Sequence, residues 1–223
     1  MDAYVWSKEL ARKLQAVFGN RVVFVGLQGS RARGEAREDS DIDAVVLLDA
    51  VMADDLARYR AIVESMPQSE LACGFVGSAT ALVAWPRHEL FQFYNDTAPI
   101  CGNLPEVPPF TIDEAMEAAR IGASGIYHAA CHAVVFDGEA ATDILESLYK
   151  GAFFTLQALQ YVRTGEYPHT KSELAKQLEG DEARILEVNR DWDIYRPSNE
   201  AEMRELTDLI LGWAEGIICS SCK

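Results

Sequence analysis

Two short motifs in the chain carry side chains that could do chemistry together. Gly29-Ser30 follows an apolar run, Arg21 to Leu27, while Asp41 and Asp43 flank the start of a second, Ile42 to Leu48. A Gly-Ser pair where a buried strand gives way to a helix leaves backbone N–H groups free, and the positive end of the helix dipole converges on the same point. That arrangement is a phosphate cradle. Glycine lets a phosphate approach the backbone closely, Ser30 adds a hydroxyl donor, and Arg31, Arg33 and Arg37 bring cations nearby. Asp41 and Asp43 are one residue apart at the head of a strand, so period-two alternation turns both carboxylates to one face and Ile42 to the other. Such a pair offers hard oxygen ligands suited to Mg²⁺, which takes one or two carboxylates and completes its shell with substrate phosphates.

For the two motifs to meet, their strands must lie in one sheet, and the flanking sequence is patterned to build one. Ser7 reads as the cap of a first helix bearing Leu10, Leu14, Val17 and Phe18, which Gly19-Asn20 ends. Arg21 to Leu27 and Ile42 to Leu48 are β-branched and apolar throughout, as strands covered on both faces are. A helix over 54–66 and a third apolar segment, Glu70 to Val76, follow. The order is helix, strand, short helix, strand, helix, strand, and it predicts an α/β (α+β) head with a small mixed sheet.

The proline-rich stretch Pro105 to Pro109 admits neither helix nor strand, and the texture changes beyond it. The boundary falls there, giving domains at 1–104 and 110–223. Thr111 to Glu114 and Thr170 to Glu173 are capping boxes. Helices expected from Thr111 to about Phe136, over 142–163, over 181–189 and over 199–218 make the second half an all-α helical bundle.

Composition narrows the partners. The 223 residues are 49% hydrophobic, ample for a packed core. With 20 Lys+Arg against 35 Asp+Glu the formal charge is −15, which repels a polyanion, so long nucleic acid is not an expected partner. Five cysteines, an odd number, and the lack of a basic-then-apolar leader point to a reducing cytoplasm. Apolar runs are too short to cross a membrane.

The stretch GSRARGEAREDSDID, residues 29–43, resembles the Gly-Ser and Asp-x-Asp signature of the polymerase β superfamily of nucleotidyltransferases, in the form seen in minimal nucleotidyltransferases. The resemblance implies that Gly29, Ser30 and Arg33 bind the nucleotide and that Asp41 and Asp43 are catalytic carboxylates holding Mg²⁺. It also implies a third carboxylate on a later strand. Glu70 is the candidate, because Trp85 to Phe93 (WPRHELFQF) is similar to a run that follows the glutamate-bearing strand in streptomycin/spectinomycin adenylyltransferases; Glu89 and Asp96 stand behind it. Cys73 and Gly74 occupy mid-strand positions where many relatives carry an aspartate. The helical half resembles the domain that follows the head in aminoglycoside nucleotidyltransferases, and Lys150, interrupting an apolar helix, is a second cation for phosphate.

The implied reaction transfers a nucleoside monophosphate, AMP from ATP, to a hydroxyl of a small molecule such as an aminoglycoside. A different class of protein is also compatible: a nucleotide-binding regulatory or antitoxin-like module with little turnover. Weaker signals are His128, Cys131 and His132 as a metal group with no further ligand at suitable spacing, Arg163 and His169 as a ribonuclease-like pair interrupted by Gly165 and Pro168, and Cys219 and Cys222 as a C-x-x-C outside any redox context.

Overall fold

The structure is a computed structural model, and it describes residues 2–220 apart from the side chain of Glu139. Cys222, and with it the C-x-x-C pair, lies outside the described residues. The contacts divide the chain into two compact units, Met1–Pro109 and Phe110–Lys223.

The first unit opens with α1 (Ala3–Phe18), capped by Asp2, whose carboxylate accepts from the N–H groups of Tyr4 and Val5. The cap expected at Ser7 is corrected: Ser7 is buried within α1, because Trp6 belongs to the core and extends the apolar stripe one turn upstream. Gly19, at a φ of 58°, ends the helix as its spacing requires.

β1 (Val22–Gln28) leads into the one-and-a-half-turn helix α2 (Gly29–Arg33), then β2 (Ile42–Leu48), α3 (Ala53–Glu64) and β3 (Ala72–Ser78). Two helices, α4 (Ala79–Val83) and α5 (Arg87–Asp96), precede β4 (Ala98–Gly102). The sheet is mixed, in the order β3-β2-β1-β4: β1 runs antiparallel to β2 and β4, and β2 parallel to β3. β4 has no counterpart in the sequence pattern. It is short, lies at the edge and contains Pro99, which only an edge strand accommodates.

Alternation sorts the central strands into two faces. Ile42, Ala44, Val46 and Leu48 pack with Leu10, Leu14, Ile62 and Met66 in one core. Phe24, Val45 and Leu47 are buried on the opposite face, where Phe75 meets Trp85 and Phe93 edge-on at centroid distances of 5.1 and 5.4 Å. These aromatics are core packing of the second face, and Asp43 shares that face at its open end.

The second unit is all-helical: α6 (Ile112–His132), α7 (Ala141–Thr164), α8 (Lys171–Ala175), α9 (Gly180–Arg190), α10 (Trp192–Tyr195) and α11 (Glu200–Cys219). Thr111 and Thr170 form the expected capping boxes, and Gly165 ends α7 in the left-handed region. α6 stops short of Phe136, giving way to a wider turn over Ala133–Asp137. Its buried stripe of Ala115, Ala119, Ala123 and Ala130 is small, which lets α7 approach closely; a β-carbon at Gly122 would overlap Thr155 Oγ1. Tyr149, fully buried, donates to the Leu206 carbonyl at 2.8 Å, and its own carbonyl accepts from Asn189 Nδ2 at 2.8 Å. Among the described residues no helix is long and apolar enough to cross a membrane.

Candidate functional site

The antiparallel register of β1 and β2 pairs Gln28 with Asp43, so the residue before Gly29 lies directly beside the second aspartate of the Asp-x-Asp pair. Gly29 begins α2 at a φ of 71°, and a β-carbon there would overlap Asp43 Oδ2. Both facts demand glycine: the left-handed backbone disfavours a side chain, and the space a side chain would take belongs to a carboxylate. The two motifs therefore touch, as the sequence spacing requires.

Asp43 is half-buried and Asp41 is exposed one residue ahead of the strand. Burial pushes the Asp43 carboxyl above the usual carboxylate range, and the facing Asp41 charge raises it further; Arg33 and Arg31 oppose the shift, and Asp96 adds to it. The folded chain thus concentrates negative charge at this point, and Arg33 and Arg31 offset it only in part.

The arginines expected to wait for phosphate are engaged in folding the turn. Arg31 donates through Nε to the carbonyls of Ser40 and Asp41 at 2.9 and 3.1 Å, and through Nη2 to those of Glu38 and Ser40 at 3.1 and 2.6 Å. It thereby fixes the loop that presents Asp41. Arg33 donates through Nη1 to Asp96 Oδ1 at 2.8 Å and Oδ2 at 3.1 Å, and through Nε to Glu35 at 3.2 Å. The Arg33 and Asp96 side chains are only 10% and 8% exposed. Asp96 Oδ2 also accepts from the Gly29 N–H at 3.3 Å.

Glu70 lies ahead of the third strand and not on it. It lies in the turn Ser69–Leu71 ahead of β3, exposed, and the parallel register matches Asp43 with Cys73, three residues further on. Glu70 therefore belongs to the turn before β3 and does not open the strand itself, which begins later than its apolar texture suggests. Cys73 is an exposed free thiol. Gly74 admits no side chain: its φ is 116° and a β-carbon would overlap the Ala44 carbonyl oxygen. Asp96, from the end of α5, is the carboxylate the fold brings to the turn, and the sequence signal for it was its place three residues after the Glu-Leu-Phe-Gln-Phe run.

Asp41 and Asp43 fit a Mg²⁺ ion in donor chemistry: two oxygen ligands on one face, carrying like charges that a cation would relieve. Among the described residues no group of three or more His, Cys, Asp or Glu could hold a metal ion, so further ligands would come from substrate and water. The same statement covers His128, Cys131 and His132, where His132 Nδ1 instead pairs with Asp137 Oδ2 at 2.8 Å. In the helical unit, Lys150 is 66% exposed on α7 and lies 2.6 Å from Glu146, and Arg163 forms a two-bond pair with Glu182.

Residues 7–75 match the family model described as Nucleotidyltransferase domain. Among solved structures, the chain is similar to spectinomycin adenyltransferase AAD(9) from Enterococcus faecialis, determined with ATP and spectinomycin; the TM-score is 0.54 at 13% identity, over 94% of this chain and 97% of that one. At that identity the likeness establishes the fold, an adenylyltransferase-like arrangement with a helical C-terminal region. No curated protein matches the chain in sequence.

Proposed function

We propose, from the premise that residues 7–75 form a polymerase β-like nucleotidyltransferase domain, that the chain transfers AMP from ATP to a hydroxyl of a small molecule such as an aminoglycoside. The observation that carries the reading is the contact between Gly29 and Asp43, which sets a phosphate-approachable backbone against a carboxylate of the Asp-x-Asp pair.

In this reading the Gly29-Ser30 backbone and the Ser30 hydroxyl hold the β- and γ-phosphates, while Asp41 and Asp43 hold Mg²⁺. The bound ion would supply charge neutralisation for the phosphates and orient the α-phosphate for in-line attack. Arg31 keeps Asp41 in place through the loop carbonyls. Lys150 remains the proposed cation of the helical half. Its exposed pair with Glu146 is of a kind worth only a few tenths of a kcal/mol, about 0.3–0.5, so a phosphate could displace it readily. The chain's charge of −15 suits a cationic acceptor, as does the aminoglycoside bound by the structural neighbour.

One observation favours a second reading, in which the chain binds nucleotide as a regulatory module and turns it over poorly: the strand position beside Asp43 holds Cys73, where a general base would stand. Pyrophosphate release from Mg·ATP, measured across a panel of aminoglycosides that includes spectinomycin, decides between them. Acceptor-dependent release that disappears in Asp43→Asn supports the transferase. Mg²⁺-dependent ATP binding without release supports the module, and absence of any Mg²⁺-dependent nucleotide binding rejects both.

A further inference from the structure

We infer that Asp96 is a positioning residue for the triphosphate: by clamping both ends of α2 it holds the Gly29-Ser30 backbone in the geometry that receives phosphate. The inference rests on the nucleotide-binding reading above and assigns the clamp within it.

Gly29 and Arg33 are the first and last residues of α2, and Asp96 is bonded to both. Its Oδ2 accepts from the Gly29 N–H at 3.3 Å, and its two oxygens accept from Arg33 Nη1 at 2.8 and 3.1 Å. The neighbouring residue extends the clamp upstream: Thr97 Oγ1 accepts from Gln28 Nε2 at 2.6 Å, and Gln28 is the residue that precedes the turn. Consecutive residues at the end of α5 thus hold consecutive residues at the entrance of α2. Tyr4 completes the support from α1, donating to the Ala32 carbonyl at 3.2 Å.

A helix of five residues has no stability of its own. Its place has to be imposed by tertiary contacts, and the contacts imposed here are charged and nearly buried. A buried ion pair is weak evidence for stability, because desolvation offsets its attraction; its better-attested use is to fix a register. The register fixed here is that of Gly29, whose α-carbon lies against Asp43. Displacing Gly29 would alter the phosphate cradle and the carboxylate that holds the metal in one movement.

The opposite arrangement is a definite rival. If Asp96 occupied the place of a phosphate oxygen at the Gly29 N–H, it would act as a plug, and removing its charge would tighten nucleotide binding.

Titration calorimetry on the full chain separates these outcomes, with Mg·ATP and Mg·tripolyphosphate as probes and adenosine as the phosphate-free control. The expected result for Asp96→Asn is at least about tenfold weaker binding of both phosphate probes, in the range of losses typical of residues that orient direct ligands. Adenosine affinity should not change. Arg33→Lys, which keeps the charge but gives up the planar fork, should show a smaller loss in the same direction, and it decides the question if Asp96→Asn does not fold. Unchanged or tighter phosphate binding in either folded variant overturns the clamp while leaving the nucleotide-binding reading intact. A wild-type chain that binds neither phosphate probe overturns both.

Discussion

The two ends of the four-stranded sheet treat their carboxylates in opposite ways. Where β1 begins and β2 ends, Arg21 donates to Asp49 at 3.0 Å and grips both oxygens of Asp55 at 2.8 Å, and Asp55 also accepts the Met52 N–H at 3.0 Å. The Arg21 guanidinium and the Met52 amide hold the Asp55 carboxyl at about 2, well below the usual carboxylate range. Where β1 ends and β2 begins, Asp43 is desolvated and faces Asp41, and its carboxyl is pushed up. Both ends join the same two strands, so the strands do not explain the contrast. One end has its counter-charge bonded to its carboxylates; at the other, Arg33 and Arg31 offset the shift of Asp43 only in part, which leaves its charge to be balanced from outside.

The comparison breaks most visibly at Asp43. On the proposed reading, replacing it by Asn should reduce turnover by about 100-fold or more, at or beyond the upper end of the losses seen for residues that only orient a metal's ligands. The same change should raise the melting temperature of the metal-free chain at neutral pH. The sign follows from the raised carboxyl: a group that is harder to ionise when folded favours folding below its unfolded value and loses that contribution as pH rises through the folded value. At pH 3, where both forms are neutral, the stabilisation should vanish. A variant that melts lower than the wild type at pH 7 would contradict the idea that Asp43 is held at a cost in stability.

Asp55→Asn should behave in the reverse manner. It should lower the melting temperature at pH 7 by several degrees without changing nucleotide affinity, because Arg21 is left without its two-oxygen partner. Here the folded carboxyl lies below its unfolded value, so the contribution is fully present above about pH 4 and fades as pH falls towards about 2. Scans of wild type and variant should converge over that window, and parallel curves down to pH 2 would show that Asp55 acts through packing instead.

How much of this was legible in the sequence depends on the range of the interaction. β2 starts and stops where its apolar run does, and the Thr111 and Thr170 caps are local patterns that local bonds satisfy. The meeting of Gly29 with Asp43 was legible as well, because two apolar runs joined by a short polar turn have few ways to pair. Asp96 was not. Its role depends on β4 returning along β1, and β4 is a five-residue edge strand holding a proline, with no alternating pattern to announce it. The arginines of the turn were read as spare cations because sequence shows charge but not the carbonyls and carboxylates that absorb it. Glu70 was read as opening β3, but Leu71, though apolar, belongs to the turn, and the strand begins at Ala72.

That register suggests a way to sharpen the contrast between the ends. Cys73 pairs with Asp43, and a carboxylate placed there would share its face. Cys73→Asp should strengthen Mg²⁺ binding in the presence of ATP a few-fold. It should also lower the stability of the metal-free chain, since a third like charge would adjoin two that already repel. Isothermal titration with Mg²⁺ at fixed ATP reads the first effect and thermal melting the second; stronger binding without the loss of stability would mean that the new side chain turns away from Asp43.

The smallest effect should come from Glu70, and its smallness is informative. Its exposed carboxylate precedes the strand, in the turn Ser69–Leu71, three residues before the partner of Asp43. An exposed charge acts on its neighbours through solvent, which screens it at ordinary ionic strength. Glu70→Gln should therefore change turnover and nucleotide affinity by less than about twofold and leave the pH profile unmoved. A larger loss, above all one confined to kcat, would assign Glu70 the role of third carboxylate.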